Sequence, residues 1–237
     1  MYAVKEILLD SNGFRLPANF CKPAPASPTL IMSHGLEGSK DGEKWKELEA
    51  LLYKQGMASL RFNYRGCGEG EGLRAEGVIA ATTLSSRIED FITALNYLDT
   101  TDVHLSHTSA VGSSFGGMVV IASEDPRVNA VVLMATPSKL PSNMPGMPDL
   151  GFDAAKYDLA QSIQRYNKPT LIIHGGDDEI VPVHHAYELY EAAQEPKHIE
   201  IIPGADHNFS KLEHRRVALD LCVEWIKNHT RDYVSNE

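Results

Sequence analysis

The alternation of apolar and polar residues changes period along the 237-residue chain, and those changes predict its elements. Two short alternating runs, Val4 to Asp10 and Phe14 to Phe20, flank Ser11-Asn12-Gly13. Asn-Gly accepts the positive φ angles of a tight turn, so the chain is expected to open with an antiparallel hairpin. Compact apolar runs then follow at Thr29 to Met32, Ala58 to Tyr64 and Ser109 to Val111. Each precedes a stretch with helical spacing, at Trp45 to Tyr53, Leu84 to Leu98 and Met118 to Ser123. The second half keeps the order: Ala130 to Met134 before Asp153 to Tyr166, Thr170 to Ile173 before Val183 to Ala193, and His198 to Ile202 before Leu212 to Ile226. Near-continuous Val, Ile and Leu mark strands buried on both faces, and their alternation with helices marks a mostly parallel sheet covered on both sides. The expected fold is therefore α/β, with eight strands and an N-terminal antiparallel hairpin.

No composition shift resembles an interdomain linker and no repeat recurs, so residues 1–237 read as one domain, with 228–237 as a tail. One internal segment lacks periodicity. Residues 137–152 carry Pro137, Pro141, Pro145 and Pro148, which argue against regular structure and for a short lid loop. Ligands of open parallel sheets bind at the carboxyl ends of the strands, which is where chemistry is to be sought.

Composition narrows the partners. With 22 basic and 32 acidic residues the formal charge is -10, and the acidic residues are scattered. Nucleic acids and anionic membranes are both disfavoured, because each is bound through a basic surface. Cys21, Cys67 and Cys222 are few, odd in number and not in CxxC spacing, which fits a reducing compartment. The N-terminus has no export signal and no apolar run approaches membrane-spanning length, so a cytoplasmic location is expected.

The run Gly112-Ser113-Ser114-Phe115-Gly116 contains G-x-S-x-G between a buried strand and an apolar helix. A strand turning at once into a helix puts the central serine in a strained, projecting position, and glycines two residues either side relieve the close approach of the backbones. Ser113 is out of register with the glycines. A serine nucleophile needs a base, and the base needs an orienting acid. Asp177, Asp178 and Glu179 follow the strand ending at His174, and His207 follows the last strand. The order Ser, acid, His at successive strand ends is that of a hydrolase triad, although spacing alone does not choose among the three acids.

These motifs resemble the α/β-hydrolases over nearly the whole chain. His174 to Pro182 is similar to the family's H-G-x-x-D-x-x-V-P acid loop, and that resemblance assigns the acid to Asp178. It also implies an oxyanion hole made by two backbone N–H groups. One is that of Phe115, directly after Ser114; the other is that of Leu36, in the similar His34-Gly35-Leu36 loop. The expected branch is that of uncapped carboxylesterases, cinnamoyl-esterase-like and dienelactone-hydrolase-like enzymes.

Other candidate chemistry falls away. His34 matches a loop-bracing histidine of the family, and the adjacent His184 and His185 diverge on a helix instead of sharing a metal. The glycine-rich run from Arg65 fits no dinucleotide register, so no cofactor or metal is expected. The expected reaction is hydrolysis of a small acyl or aryl ester through an acyl-enzyme. A thioesterase, an acyltransferase or a peptidase would use the same triad, and a non-catalytic ligand-binding member of the fold would need none. Residues 135–169 leave no room for a large cap, so an open site is expected, lined by Leu140, Met144, Met147, Leu150 and Phe152. Glu37, Glu69, Glu71, Asp177 and Glu179 fall on loops expected to rim it, which implies a preference for neutral or cationic esters.

Overall fold

A computed structural model describes residues 3–68 and 74–230. The hairpin forms as its Asn-Gly turn predicts: β1 (Val4–Ser11) pairs antiparallel with β2 (Phe14–Cys21), and Asn12 and Gly13 both take positive φ. The sheet continues with β3 (Thr29–Ser33), β4 (Ala58–Phe62), β5 (Thr108–Ser113), β6 (Val128–Met134), β7 (Thr170–Gly175) and β8 (Lys197–Ile202). Its eight strands lie in the order β1-β2-β4-β3-β5-β6-β7-β8. β1, β2 and β4 are antiparallel neighbours and every later pairing is parallel.

Seven α-helices lie between or after the strands among the described residues: α1 (Glu43–Lys54), α2 (Leu84–Leu98), α3 (Phe115–Ser123), α4 (Pro148–Ala154), α5 (Leu159–Tyr166), α6 (His184–Ala192) and α7 (Leu212–His229). The two-residue period of the strands divides the core into two layers. Ile31, Ala110, Val131, Leu133 and Ile172 point toward α2, α3, α5 and α6. Leu30, Met32, Val111, Val132, Leu171 and Ile173 point to the other face, against Trp45 and Leu48 of α1 and Leu219 and Cys222 of α7. Runs of Val, Ile and Leu are therefore what the central strands require, since both of their faces are dry.

Three boundaries differ from the sequence expectation. The segment 137–152 is not irregular throughout: Pro148 begins α4, because proline's fixed φ suits a first helical turn whose N–H is unused. Gly151 lets that helix lie against the backbone; a Cβ there would stand 2.5 Å from the Ser142 carbonyl oxygen. The single helix expected over Asp153 to Tyr166 is two, with Asp158 capping α5 by accepting from the Gln161 N–H at 3.0 Å. The proposed tail begins too early as well, since α7 runs through His229 with Ile226 buried beneath it. Residues 231–237 of that tail lie outside the described residues.

Candidate active site

Ser114 sits between β5 and α3 with φ 55° and ψ -126°, a conformation that L residues seldom adopt. The surrounding glycines make room for it. A Cβ on Gly112 would lie 2.4 Å from Gly117 Cα, one on Gly116 would lie 2.2 Å from the Ser33 carbonyl oxygen, and one on Gly117 would strike Thr136. Helix α3 begins at Phe115, three residues before the apolar spacing predicts, because close packing outweighs the poor helix propensity of Gly116 and Gly117. Every residue of α3 from Phe115 to Ile121 is buried, which holds the turn rigidly.

His207 Nε2 lies 3.0 Å from Ser114 Oγ, and His207 Nδ1 lies 2.8 Å from Asp178 Oδ2. Among Asp177, Asp178 and Glu179, only Asp178 is buried; its neighbours face solvent. Its Oδ1 accepts from the backbone N–H groups of Ile180 and Val181 at 2.9 and 2.8 Å. Burial by itself raises the Asp178 pKa, but hydrogen bonds from His174, His207 and Val181 outweigh it and hold the carboxyl well below the ordinary carboxylate range. Asp178 is thus an acceptor, so His207 Nδ1 carries the proton and Nε2 is left to accept from the Ser114 hydroxyl.

The loop after β3 is braced from behind. The Tyr64 N–H donates to His34 Nε2 at 3.2 Å, which leaves Nδ1 to donate to the Gly35 carbonyl at 2.8 Å. Burial, with Arg87 and Lys44 nearby, lowers the His34 pKa to about 3, so the ring stays neutral in this role. The fully buried Arg87 guanidinium donates to the carbonyls of Gly35 at 3.3 Å and Leu36 at 2.6 Å and stacks on the Tyr64 ring. With the Gly35 carbonyl pulled back, the planar trans peptide turns the Leu36 N–H the opposite way. Phe115 opens α3, so its N–H has no partner within the helix. Gly35 itself lies against the serine, where a Cβ would stand 3.4 Å from Ser114 Cβ.

Ser114, His207, Leu36 and Phe115 all line a cleft of about 1020 Å³. Pro137, Leu140, Pro141, Met144, Ile180 and Val181 form an apolar wall on one side. Gly42, Glu43, Lys44, Ser113 and Arg215 form a polar wall on the other.

A family model described as the prolyl oligopeptidase family matches residues 45–232. The chain belongs to this family. The uncharacterised protein Rv2307c of Mycobacterium tuberculosis H37Rv is 28% identical over 206 residues, covering 85% of this chain and 70% of that one. Among solved structures, Est1E of Butyrivibrio proteoclasticus with ferulic acid bound superposes with a TM-score of 0.78 at 21% identity, over 94% of this chain and 96% of the other. Dienelactone hydrolase of Anabaena variabilis does so with a TM-score of 0.73 at 20% identity, over 97% and 99%. The fold is that of the α/β-hydrolases.

Within this hydrolase several expected lining residues lie elsewhere. Leu150 is fully buried beneath α4, Met147 packs on the core, and Phe152 is 73% exposed, so of the apolar five only Leu140 and Met144 reach the cleft. Helix formation at 148 causes this for Leu150 and Phe152, because residues two apart in a helix point to nearly opposite sides. The acidic rim is corrected too. Glu37 lines the cleft, but Asp177 and Glu179 point to solvent, and Lys44, Lys139 and Arg215 line it in their place. Glu69 and Glu71 lie outside the described residues. His185 faces the cleft and its Nδ1 lies 2.7 Å from Ser138 Oγ. Arg65 is turned away and paired with Asp90 at 2.6 Å.

Three contributors carry no signal of their own in the sequence. His174, which in the sequence is only one position of the acid-loop pattern, is a second donor to Asp178, with its Nε2 3.3 Å from Oδ2 and 2.8 Å from the Val181 carbonyl. Arg87 lies among the polar positions of a helical pattern, yet it is the most voluminous fully buried side chain. Lys44 reads as a solvent-facing residue near a helix start, but its Nζ donates to Ser113 Oγ at 2.7 Å. Among the described residues no helix is long and apolar enough to cross a membrane.

Proposed function

We propose that this protein is a serine carboxylic-ester hydrolase acting on small acyl or aryl esters, with Ser114 as nucleophile, His207 as base and Asp178 as the orienting acid. The observation that supports this most is the unbroken hydrogen-bonded line from Ser114 Oγ through His207 to Asp178 at the floor of an open cleft. His207 Nε2 takes the serine proton as Oγ attacks the ester carbonyl. The Leu36 and Phe115 N–H groups receive the developing oxyanion, an interaction typically worth about 3 to 4 kcal/mol when one donor is lost. His207 then protonates the departing alcohol, and water activated by the same nitrogen hydrolyses the acyl-enzyme. The ester assignment draws on the structural likeness to a dienelactone hydrolase, whose named substrate is an internal ester.

A panel of p-nitrophenyl esters from acetate to decanoate tests it, with wild type and Ser114→Ala. Wild type turns over the shorter esters and the variant does not; the reading fails if the variant keeps most of the activity. Family membership favours a second reading, a peptidase with the same triad. Acylated amino-acid nitroanilides cleaved faster than the matched esters would establish it instead.

A further inference from the structure

Buried cations packed around α1 have carboxylate partners. Lys40 pairs with Asp41, Arg61 with Glu49 and Asp41, and Arg215 with Glu43 and Glu47. Lys44 differs. Its ammonium lies on the wall of the cleft, and among the described residues its hydrogen-bond acceptor is the neutral Ser113 hydroxyl. Its charged surroundings are Asp206 and Arg215, beyond direct contact, with His34 held neutral. Burial draws its pKa down to about 8, and its Nζ also lies 5.2 Å from the centre of the Trp45 ring, a cation–π contact.

We propose that Lys44 and Ser113 form an anion subsite beside the nucleophile, and that the preferred substrates are esters bearing a carboxylate a few bonds from the scissile carbonyl. An ammonium has three donors and Ser113 takes one of them. Because Ser113 Oγ accepts from Lys44, its own proton is free to donate to the same incoming anion. Ser113 directly precedes Ser114, and neighbouring Cα atoms are about 3.8 Å apart, so the ammonium and the nucleophile are within reach of one small substrate. Arg215 nearby is already paired with Glu43 and Glu47, and Asp206 adds a negative charge, so the one ammonium suits a singly charged carboxylate better than a phosphate dianion. This reverses the charge preference expected from the acidic loops. It rests on the ester-hydrolase reading for its chemistry, but not for its binding.

Monomethyl esters of succinate through suberate are compared with methyl esters of the same length ending in a methyl group, using wild type, Lys44→Met and Lys44→Arg. At the best chain length wild type favours the anionic ester in kcat/KM by roughly tenfold to a hundredfold, the worth of a charge-assisted hydrogen bond. Lys44→Met brings the ratio to one or below, mainly through KM, and Lys44→Arg keeps part of it. A wild-type ratio at or below one, or a ratio unchanged in Lys44→Met, overturns the proposal. Calorimetric titration with hexanoate and with hexan-1-ol gives a readout that needs no turnover. If hexanoate binds wild type more tightly than hexan-1-ol and loses that advantage in Lys44→Met, the subsite stands even when no ester is hydrolysed, and only the ester reading falls. If esters are hydrolysed but hexanoate has no such advantage, the subsite falls and the ester reading stands.

Discussion

The two walls of the cleft are built in opposite ways. The wall on the α1 side comes from regular structure: Lys44 is in the first turn of a helix packed on the sheet, and Ser113 ends a buried strand. The facing wall comes from the stretch between β6 and α4, where Pro137, Leu140, Pro141 and Met144 are held by few ladder or helix hydrogen bonds. The first wall offers fixed donors and a charge that stands in one place. The second offers apolar surface ending in an unbranched, adaptable methionine. Directional recognition belongs on the rigid wall, because a hydrogen bond displaced by an ångström is largely lost, whereas apolar contact tolerates such a shift. The triad lies between them.

That separation orders the expected effects of mutation. Replacing Ser114 with Ala should lower kcat by about 10⁴-fold or more for every ester, whichever wall it uses, because removing the nucleophile disables the whole triad. A loss confined to anionic or to long-chain esters would break the separation. Asp178→Asn should cost on the order of 10⁴ in kcat, since the amide no longer fixes the His207 tautomer. The same variant bears on stability. The Asp178 carboxyl is held below its ordinary range, so it stabilises the fold above the unfolded carboxylate pKa of about 4, and that contribution is lost as pH falls toward the folded value. Melting temperatures followed downward from pH 5 should therefore fall more steeply for wild type than for Asp178→Asn.

Smaller effects should divide between the walls. The preference for anionic over neutral esters should shrink as pH rises through about 8, where Lys44 loses its proton, while the neutral-ester profile lacks that limb. Matched pH profiles of the two esters check this, and identical profiles would remove Lys44 from recognition. Leu140→Ala and Met144→Ala should each raise KM for hexanoate and longer esters about three- to tenfold with kcat nearly unchanged, as lost uniform apolar binding does. If either changed the anionic-to-neutral ratio instead, the walls would not act separately.

Much of this architecture is legible in residue spacing. The Asn12-Gly13 turn, the strand runs and the Gly112-x-Ser114-x-Gly116 elbow are local, because each depends on the conformations that a few consecutive residues can adopt. Helix α4 is not legible in that way. Four prolines suggest a loop, but proline opposes a helix only beyond its first turn, and Pro148 stands at the start. The electrostatics of the cleft are the least legible feature. Glu37, Asp177 and Glu179 look equivalent as loop acids, yet only Glu37 faces the cleft.

By itself the sequence determined the order of elements, the strained serine and the chain order of serine, acid and histidine, since these are set by backbone preferences and by periodic burial. Tertiary structure decided which of three adjacent acids meets His207, because only Asp178 is turned inward to the donors of His174, Ile180 and Val181. It also decided that Lys44 faces the cleft and not bulk water. A side chain's charge is written in the sequence, but its solvation and its partners depend on what the rest of the chain packs around it.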